Sequence, residues 1–343
     1  MVQTRDAETL GDLSQAIFLA AGATPENAEG VTRSLIGANL AGHDSHGVIR
    51  IPSYIAEINN GKLRPANVPF VSHETAATAI VDGNSTFGQV GARMTATIAA
   101  NKANEIGIAA ASAFRCHHTG RIGEWAELGA REGLITFAAA SGAHGPYQAT
   151  PFGAKSKALG TNPFSWAIPR ANGQPPILLD YATTGGAQGK LMVARARKEP
   201  VPEGWILDKD GNPTTDVEEF YDGGMLLPFA GHKGYAMSVI VEMLAVGLSG
   251  GQVVPEGERG SCLFVCCIDP GTFRADDDFL DTVENVAARL KSQQPAEGFD
   301  EVLLPGEPES RSRADRTEKG IPLPDATWDA IATVARDLHV ALP

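Results

Sequence analysis

Glycine spacing limits the folds open to this chain. No two of the 38 glycines among its 343 residues are separated by a single residue. A Rossmann dinucleotide site needs such a pair in its G-x-G-x-x-G turn, where the backbone approaches the pyrophosphate. A triphosphate-binding loop does not fit either, because Gly189-Lys190 is followed by Leu191 and no glycine precedes Gly189 by five residues. The sequence therefore argues against both standard nucleotide-binding folds.

The hydrophobic pattern changes twice along the chain. The first third has a helical period, and Thr24-Pro25-Glu26 provides a cap, a proline and an acid at the start of a helix towards Leu40. The middle alternates short β-like runs with helices, which is typical of an α/β region. Apolar residues at helical spacing then predict a C-terminal segment that packs on the N-terminal helices: Trp328, Ile331, Val334 and Leu338.

We therefore predict two domains, because a chain of this length exceeds the size at which one hydrophobic core stops growing. Residues 1–75 form a helical lobe that residues 300–343 complete, and residues 76–299 form an α/β domain. Its expected elements are strands at 79–81, 108–114, 134–140, 176–180 and 262–268, and helices at 87–105, 123–132, 233–248 and 277–290.

Charge and composition restrict the partners. The formal net charge of −13 argues against nucleic acid or an anionic membrane, because both attract Lys and Arg. Residues 1–10 lack the apolar core of a signal peptide, and no apolar run has the length of a membrane span. Four cysteines in apolar surroundings fit a reducing compartment. The sequence predicts a cytoplasmic protein with no nucleic-acid or membrane partner.

Residues 44–54 carry the densest set of reactive groups. On a helix, His46, Arg50 and Tyr54 would recur every four residues and form one stripe. An imidazole exchanges protons near neutral pH, and a guanidinium binds a carboxylate through two parallel hydrogen bonds. A 2-oxo or 2-hydroxy acid needs both groups. Because Pro52 has no backbone N–H, the helix either kinks there or begins near Pro52.

Asp44-Ser45-His46 also contains the three residue types of a hydrolytic triad. Consecutive residues are not expected to aim their side chains at one another in the chain of hydrogen bonds that a triad requires. A serine before a helix is more simply its cap.

A second imidazole pair, His117 and His118, follows the strand predicted at 108–114, at a strand end where catalytic groups often lie. Neighbouring side chains on an extended segment point apart. Because zinc binds imidazoles and thiolates, a zinc-dependent hydrolase or lyase built from His43, His46, His118 and Cys116 is the alternative function. The spacing favours it less, since neither H-E-x-x-H nor C-x-x-C occurs.

Two further stretches favour a ligand site. Gly231-His232-Lys233-Gly234 opens a predicted helix, where backbone N–H groups and a cation can stabilise an anion; an exposed glycine-rich turn is the other interpretation. The apolar strand that contains Asp180 runs into Thr183 and Thr184, at the end where α/β proteins bind ligands. Asp180 either caps the strand end or orients a ribose or an imidazole.

Seven blocks follow one another along most of the chain: Gly42 to Arg50 with Tyr54, His118-Thr119-Gly120 with Gly123, Leu159 to Pro163, Leu179 to Thr183, Pro202 to Trp205 with Asp208 to Gly211, Gly231 to Tyr235, and Pro305-Gly306-Glu307. Together they resemble the malate/L-lactate dehydrogenase family of the second type, which is unrelated in fold to the Rossmann lactate and malate dehydrogenases. The resemblance implies an α/β fold with a central mixed sheet, helices and a helical lobe.

The resemblance also implies a function. Members of this family are NAD(P)-dependent oxidoreductases, typically homodimers, that act on 2-oxo acids, 2-hydroxy acids, ureidoglycolate, diketogulonate or cyclic imino acids. It implies a small-molecule substrate, NAD or NADP bound by the α/β domain, and no metal. No ribose-binding acid of the Rossmann kind is present to distinguish NAD from NADP.

By the same resemblance, His46 is the proton donor to the substrate carbonyl, and His118 is a second acid–base or orienting group. Ser45, Arg50 and Tyr54 would line the substrate site. The cofactor would be held by Leu178, Leu179, Asp180, Ala182, Thr183, Thr184, His232, Lys233, Gly306 and Glu307. We therefore predict hydride transfer between nicotinamide and C2 of the substrate, with the proton from His46 and the carboxylate fixed by Arg50.

Overall fold

A computed structural model describes residues 2–145, 147–186, 188–251 and 260–343, and only the backbone of residues 188, 196 and 276. The helices are α1 Ala7–Ala20, α2 Pro25–Leu40, α3 Ile51–Asn59, α4 Gly88–Ile106, α5 Ile122–Arg131, α6 Gln188–Arg197, α7 Val217–Tyr221, α8 His232–Glu242, α9 Asp276–Lys291, α10 Glu307–Lys319 and α11 Asp325–Asp337. Short 3₁₀ turns occupy Asp44–His46, Val48–Arg50, Ala171–Gly173 and Pro270–Thr272, and a π-helical turn follows α8 at Met243–Gly247.

The strands are β1 Val2–Arg5, β2 Phe70–Glu74, β3 Thr78–Asp82, β4 Ile108–Cys116, β5 Ile135–Gly142, β6 Phe164–Ile168, β7 Ile177–Tyr181, β8 Ile206–Leu207, β9 Pro213–Thr214, β10 Met225–Leu226, β11 Ser261–Ile268 and β12 Ile321–Pro324. Seven of them form the central sheet in the order β2-β3-β4-β11-β5-β6-β7. The pair β3–β4 is parallel and the other pairs are antiparallel, which confirms the predicted mixed sheet.

Local sequence explains several element boundaries. Asp6 accepts a hydrogen bond from the Thr9 backbone N–H at 2.8 Å and caps α1. Thr24 does the same for α2, which has Pro25 in its first turn, as the sequence predicted. The α/β strands and helices expected from periodicity are confirmed, and their ends differ by a few residues only.

Small side chains let α4 lie close to the sheet. Buried alanines on α4 and β4 face one another, and the largest buried side chain of this core is Trp125 on α5. Trp125 Nε1 donates to the Thr119 carbonyl at 2.9 Å, so the loop after β4 is attached to this core. The core therefore fixes the end of β4, where His118 lies.

A second apolar cluster joins the two ends of the chain. Phe18, Leu35 and Ile51 from the first helices pack with Ile331 and Ala335 of α11, with Trp328, Val334 and Leu338 beside them. The predicted packing of the C-terminal segment on the N-terminal helices is therefore confirmed. The antiparallel pair β1–β12 was not predicted, because the two prolines of Ile321–Pro324 resemble a turn rather than a strand.

The predicted domain boundaries at 1–75, 76–299 and 300–343 stay a prediction. Strand β2 pairs with β3 in the central sheet, and Phe87 belongs to the cluster of the N-terminal helices. None of the helices in the described ranges combines the length and apolar character that crossing a membrane requires.

Candidate active site

His46 lies in a 3₁₀ turn and not on a continuous helix. Asp44–His46 and Val48–Arg50 are successive turns around Gly47, and α3 begins at Ile51 with Pro52 in its first turn. The prediction of one helical stripe through His46, Arg50 and Tyr54 is therefore wrong. The alternative start near Pro52 is confirmed. A proline fits this position, because the N–H groups in the first turn of a helix have no acceptor within the helix.

Side chains from the preceding helix α2 and from the distant helix α10 hold this segment in place. Asn39 Oδ1 accepts a hydrogen bond from the Val48 backbone N–H at 2.8 Å, and Asn39 Nδ2 donates to Asp44 Oδ1 at 2.6 Å. Arg316 of α10 donates to the same carboxylate at 2.6 Å. A Cβ at Gly47 would lie 2.1 Å from Asn39 Oδ1, so only glycine permits this contact. The backbone around His46 is therefore clamped from both α2 and α10.

The two imidazoles predicted to act on the substrate lie against each other. The rings of His46 and His118 are stacked, with their centroids 5.4 Å apart and their planes inclined by 21°. Each has a hydroxyl at Nδ1: Ser45 Oγ lies 3.0 Å from His46 Nδ1, and Tyr54 OH lies 2.6 Å from His118 Nδ1. The structure thus brings together Ser45, His46, Tyr54 and His118, which are up to 73 positions apart in sequence.

The Ser45–His46 contact corrects one expectation. Consecutive residues were not expected to aim at each other, but the tight 3₁₀ turn brings Ser45 Oγ to His46 Nδ1. A hydrolytic triad still does not form, because the Asp44 carboxylate is bound by Arg316 and Asn39.

Arg50 lies beside His46 and affects its charge. Arg50 Nε donates to the Ser45 carbonyl at 2.7 Å, which ties the guanidinium to the turn that carries His46. Burial, followed by the charges of Arg50, His43 and Arg121 in that order, lowers the pKa of His46 to about 3. At neutral pH, His46 is therefore uncharged and can accept a proton. A carboxylate bound to Arg50 would offset the nearest of these charges.

The low pKa of His46 predicts how stability depends on pH. Between about pH 6.5 and about pH 3, the unfolded chain holds a proton at residue 46 and the folded protein does not, so stability falls as pH falls through this window. We expect His46→Gln, which cannot titrate, to lose about 1–2 kcal/mol less unfolding free energy than the wild type between about pH 7.5 and about pH 5. Urea unfolding at both pH values measures this. Equal losses in the two proteins would contradict the burial of a neutral imidazole.

Tyr54 is buried behind His118. It is 4% exposed, and its ring packs among Phe18 and Phe87. Its hydroxyl contacts His118 and also accepts a hydrogen bond from Gln89 Nε2 at 2.8 Å. These contacts favour a role in holding His118, while the substrate-lining role stays a prediction. Gln89 was not predicted, because a glutamine inside an Ala- and Gly-rich helix matches no motif.

The zinc alternative depends on residues that the structure places in different surroundings. His117 Nε2 contacts the Lys62 carbonyl at 2.8 Å, so it points away from His118, as expected. Cys116 is buried, and burial raises the pKa of its thiol. His43 pairs with Glu309 at 3.4 Å. Within the ranges that the structure describes, no group of three or more His, Cys, Asp or Glu residues is placed to hold a metal ion.

The two stretches predicted to bind an anion or cofactor meet in the structure. The Phe229 backbone N–H donates to the Thr183 carbonyl at 3.0 Å, so the loop after β7 lies against the segment that leads into α8. Gly231, with φ of 63°, stands at the N-cap of α8, and no side chain of the described residues caps this end. His232 and Lys233 lie in the first turn of α8, which confirms the predicted helix start. The backbone N–H groups of Lys233 and Gly234 donate to the carbonyls of Ala230 and Phe229 at 3.4 and 3.1 Å.

The Asp180 side chain contacts the beginning of α5. Its carboxylate accepts hydrogen bonds from the Gly123 backbone N–H at 3.0 Å and from Arg121 at 3.4 Å, at the beginning of α5. Burial raises its pKa. These contacts lie at the start of α5 and not at the end of β7, so the role of Asp180 as a strand-end cap stays a prediction. Its predicted role towards a cofactor stays a prediction.

The other predicted cofactor residues surround the end of β7. Leu178 packs in the sheet core, whereas Leu179 packs on the opposite side near Phe164 and Met237. Ala182 is half-buried in the turn that follows β7. Both threonine hydroxyls donate to backbone carbonyls, Thr183 to Thr161 at 3.0 Å and Thr184 to Gly186 at 2.9 Å. Their side chains therefore shape the loop.

The turn at Gly306 and Glu307 approaches β7 from α10. Gly306 has φ of 92°, and a Cβ there would lie 2.9 Å from Leu178 Cβ. Glu307 accepts hydrogen bonds from Lys291 Nζ at 2.8 Å and from the Leu304 backbone N–H at 3.1 Å. Both residues line a cavity of about 200 Å³ with Pro176, Arg170 and neighbouring residues.

A buried polar network connects the block at 159–163 with α8. Asn162, with φ of 39°, donates to the Ser238 carbonyl at 3.0 Å and to Glu242 at 2.8 Å. Ser141 donates to the same carboxylate at 2.7 Å. These bonds join β5, the block and α8, and so fix α8 against the sheet.

Comparisons with known proteins agree with this architecture. The family model described as malate/L-lactate dehydrogenase matches residues 6–332. A hydroxycarboxylate dehydrogenase B from Escherichia coli O157:H7 is 39% identical over 97% of this chain and 94% of its own, and an L-lactate dehydrogenase from Cupriavidus necator is 32% identical over 96% and 97%. The solved structure of a putative malate/lactate dehydrogenase from E. coli superimposes with a TM-score of 0.93, at 36% identity over 99% of this chain and 96% of that one.

The central sheet is mixed, and the sequence has no G-x-G-x-x-G turn, so the fold is a non-Rossmann α/β fold. The stacked imidazoles of His46 and His118 are typical of an enzyme site. With these similarities, the chain belongs to the malate/L-lactate dehydrogenase family. It is an oxidoreductase, as the resemblance of its seven sequence blocks implied.

Proposed function

We propose that this protein transfers a hydride between NAD or NADP and C2 of a small 2-hydroxy or 2-oxo acid. One observation carries the proposal: uncharged His46 stacks on His118 while Arg50 is tied to the same turn. This arrangement offers a proton acceptor and a carboxylate-binding cation within one short segment. A 2-hydroxy acid presents the matching hydroxyl and carboxylate on adjacent carbons.

In the oxidation direction, the guanidinium of Arg50 binds the carboxylate and orients C2. His46 is uncharged at neutral pH and accepts the hydroxyl proton as the C–H bond at C2 breaks. The carboxylate bound at Arg50 raises the low pKa of His46 towards the range in which an imidazole is an effective base. A bound nicotinamide supplies the acceptor for the hydride. In the reverse direction His46 returns the proton to the carbonyl oxygen, and binding of the anionic substrate at Arg50 favours the protonated imidazole that this step needs.

The chemistry around α8 fits a dinucleotide. In the described part of the chain, no side chain caps the first turn of α8, which carries Lys233. The backbone N–H groups of Gly231 and His232, which precede the bonded N–H groups of Lys233 and Gly234, and the Lys233 cation can stabilise a pyrophosphate there. A Cβ at Gly234 would lie 2.2 Å from the Phe229 carbonyl oxygen, so glycine lets the loop pass close to the helix. We infer that the ends of β7 and α8, with the turn at Gly306-Glu307, hold the cofactor.

The protein is further proposed to be a cytoplasmic homodimer. The chain leaves apolar side chains on α8 and on the residues that follow it more than half exposed, namely Ile240, Met243 and Leu248. A second copy of the chain would cover such a surface. Light scattering coupled to size exclusion should give the mass of two chains. A monomer at micromolar concentration would contradict the dimer.

The test of the activity is a panel of 2-oxo acids and cyclic imines, assayed with NADH and with NADPH by loss of reduced-nicotinamide absorbance. We expect turnover with at least one small 2-oxo acid and oxidation of the matching 2-hydroxy acid. The names of the two relatives make hydroxycarboxylates and lactate the first compounds to try. Turnover of cyclic imines but of no 2-oxo acid would contradict the proposed substrate class and indicate an imine reductase. Stoichiometric zinc with chelator-sensitive hydrolysis and no nicotinamide binding would support the alternative.

A further inference from the structure

A buried chain of hydrogen bonds connects α4 with the second imidazole. Gln89 Nε2 donates to Tyr54 OH at 2.8 Å, and Tyr54 OH lies 2.6 Å from His118 Nδ1. Gln89 is 1% exposed and Tyr54 is 4% exposed, so bulk water does not compete for these groups. The three residues come from α4, α3 and the end of β4, and rigid elements therefore fix their distances.

The orientation of the Gln89 amide follows from what each of its ends can bond. Gln89 Oε1 is buried and has no hydrogen-bond partner among the residues that the structure describes. If the amide were turned round, its oxygen would face Tyr54, and both N–H groups would take the place that has no acceptor. The orientation with N–H towards Tyr54 leaves one N–H and the carbonyl unpaired, whereas the turned amide leaves both N–H groups unpaired. The turned amide costs more, because an unpaired buried N–H is rarer and less tolerated than an unpaired carbonyl. The N–H group of Gln89 therefore faces the phenol oxygen.

This orientation determines where the protons lie. The Tyr54 oxygen accepts from Gln89, and its single proton is directed to His118, because the phenol is the more acidic partner of the 2.6 Å contact. A neutral imidazole that accepts at Nδ1 carries its proton on Nε2. We infer that Gln89 is a positioning residue that sets the neutral tautomer of His118 through Tyr54.

The consequence for catalysis rests on the proposed function. His118 with its proton on Nε2 offers a donor at the ring edge opposite Tyr54, beside the stacked ring of His46. The other tautomer would offer an acceptor there. The unpaired carbonyl of Gln89 is a cost to stability that only the donated N–H offsets. Such a locally unfavourable group is expected where function requires it.

The variant Gln89→Met distinguishes a positioning role of Gln89 from a purely structural one, because methionine keeps the length of the side chain and removes its amide N–H and carbonyl groups. We expect the single-turnover rate of hydride transfer to fall about tenfold, the equivalent of one hydrogen bond. KM and cofactor affinity should stay unchanged, since Gln89 does not face the substrate. Tm should be unchanged or higher, because the unpaired carbonyl is gone. A purely structural glutamine would instead give a lower Tm and an unchanged rate, which would overturn the inference.

Thr95→Val is the matched control on the same helix. Thr95 is buried and donates to the Gly91 carbonyl at 2.8 Å, so the variant also removes a buried polar group from α4. We expect its rate of hydride transfer to equal that of the wild type. A tenfold loss in this variant as well would show that α4 acts through general packing, and it would overturn the specific role of Gln89.

The tautomer can be read without any turnover. The measurement is an NMR spectrum of the free protein labelled with ¹⁵N-histidine, at about pH 8 where an ordinary imidazole is neutral. The ring signals that disappear in the variant His118→Gln are assigned to His118. We expect an unprotonated Nδ1 in the wild type and a mixture of tautomers in Gln89→Met. A protonated Nδ1 in the wild type, or the same tautomer in both proteins, would overturn the inference. Absence of turnover with the predicted tautomer intact would count against the proposed function alone.

Discussion

His46→Gln should lower the turnover of this protein by about 10²- to 10⁴-fold, the usual contribution of a well-placed general acid–base group. Glutamine approximates the reach of the imidazole and can hydrogen-bond Ser45, but it cannot carry the substrate proton. The Asn39 and Arg316 contacts that clamp the segment involve Asp44 and the backbone of Val48, so the substitution leaves them in place. Turnover is measured in both directions, and cofactor affinity by quenching of tryptophan fluorescence.

Cofactor affinity should stay within a few-fold of wild type, because the proposed cofactor residues lie at β7, α8 and the turn at Gly306-Glu307. The matched control is His73→Gln, which changes an exposed imidazole on β2 and should keep full activity. An active His46→Gln protein would remove His46 from the chemistry and leave His118 as the acid–base group. A joint loss of activity and cofactor binding would instead indicate that His46 supports the cofactor site.

The contrast between predicted and unpredicted residues has a physical cause. Periodicity and capping are local, and they placed the α/β strands and the starts of α2 and α8 close to where the structure has them. The 3₁₀ turns around His46 depend on Asn39 and on Arg316, which is 272 positions from Asp44. No local pattern encodes a contact over that distance.

The same reasoning applies to the site. Reactive residue types pointed to His46, His118 and Arg50, because few side chains can move a proton or bind a carboxylate. Gln89 belongs to the site only through Tyr54, and its sequence neighbours on α4 are small or apolar. Asp180 was recognised as a polar strand end, but its partners Gly123 and Arg121 became visible only in the three-dimensional contacts. Sequence therefore reveals the groups that do chemistry more readily than those that hold them.

Arg50→Lys should lower kcat/KM for a 2-oxo acid by about 10- to 100-fold, mainly through a higher KM. Lysine keeps the positive charge but has no planar fork for the carboxylate. It also has no counterpart of Nε, which donates to the Ser45 carbonyl at 2.7 Å, so the cation is no longer fixed to the His46 turn. Charge alone therefore does not restore orientation. Initial rates over a range of substrate concentrations, at saturating cofactor, measure the change.

Two comparisons show whether the loss comes from the carboxylate. A hydroxyketone that lacks this group should be a poor substrate for both proteins and should show little difference between them, because it has nothing for the fork to bind. Arg197→Lys, at a largely exposed arginine near Glu199, should behave as wild type. If Arg50→Lys loses the same factor with and without the carboxylate, Arg50 acts on the backbone of the turn alone, and the anion must be bound by another cation. If its kinetics are unchanged, Arg50 does not contact the substrate. This result would contradict the proposal that one short segment provides both the proton acceptor, His46, and the group that binds the carboxylate, Arg50.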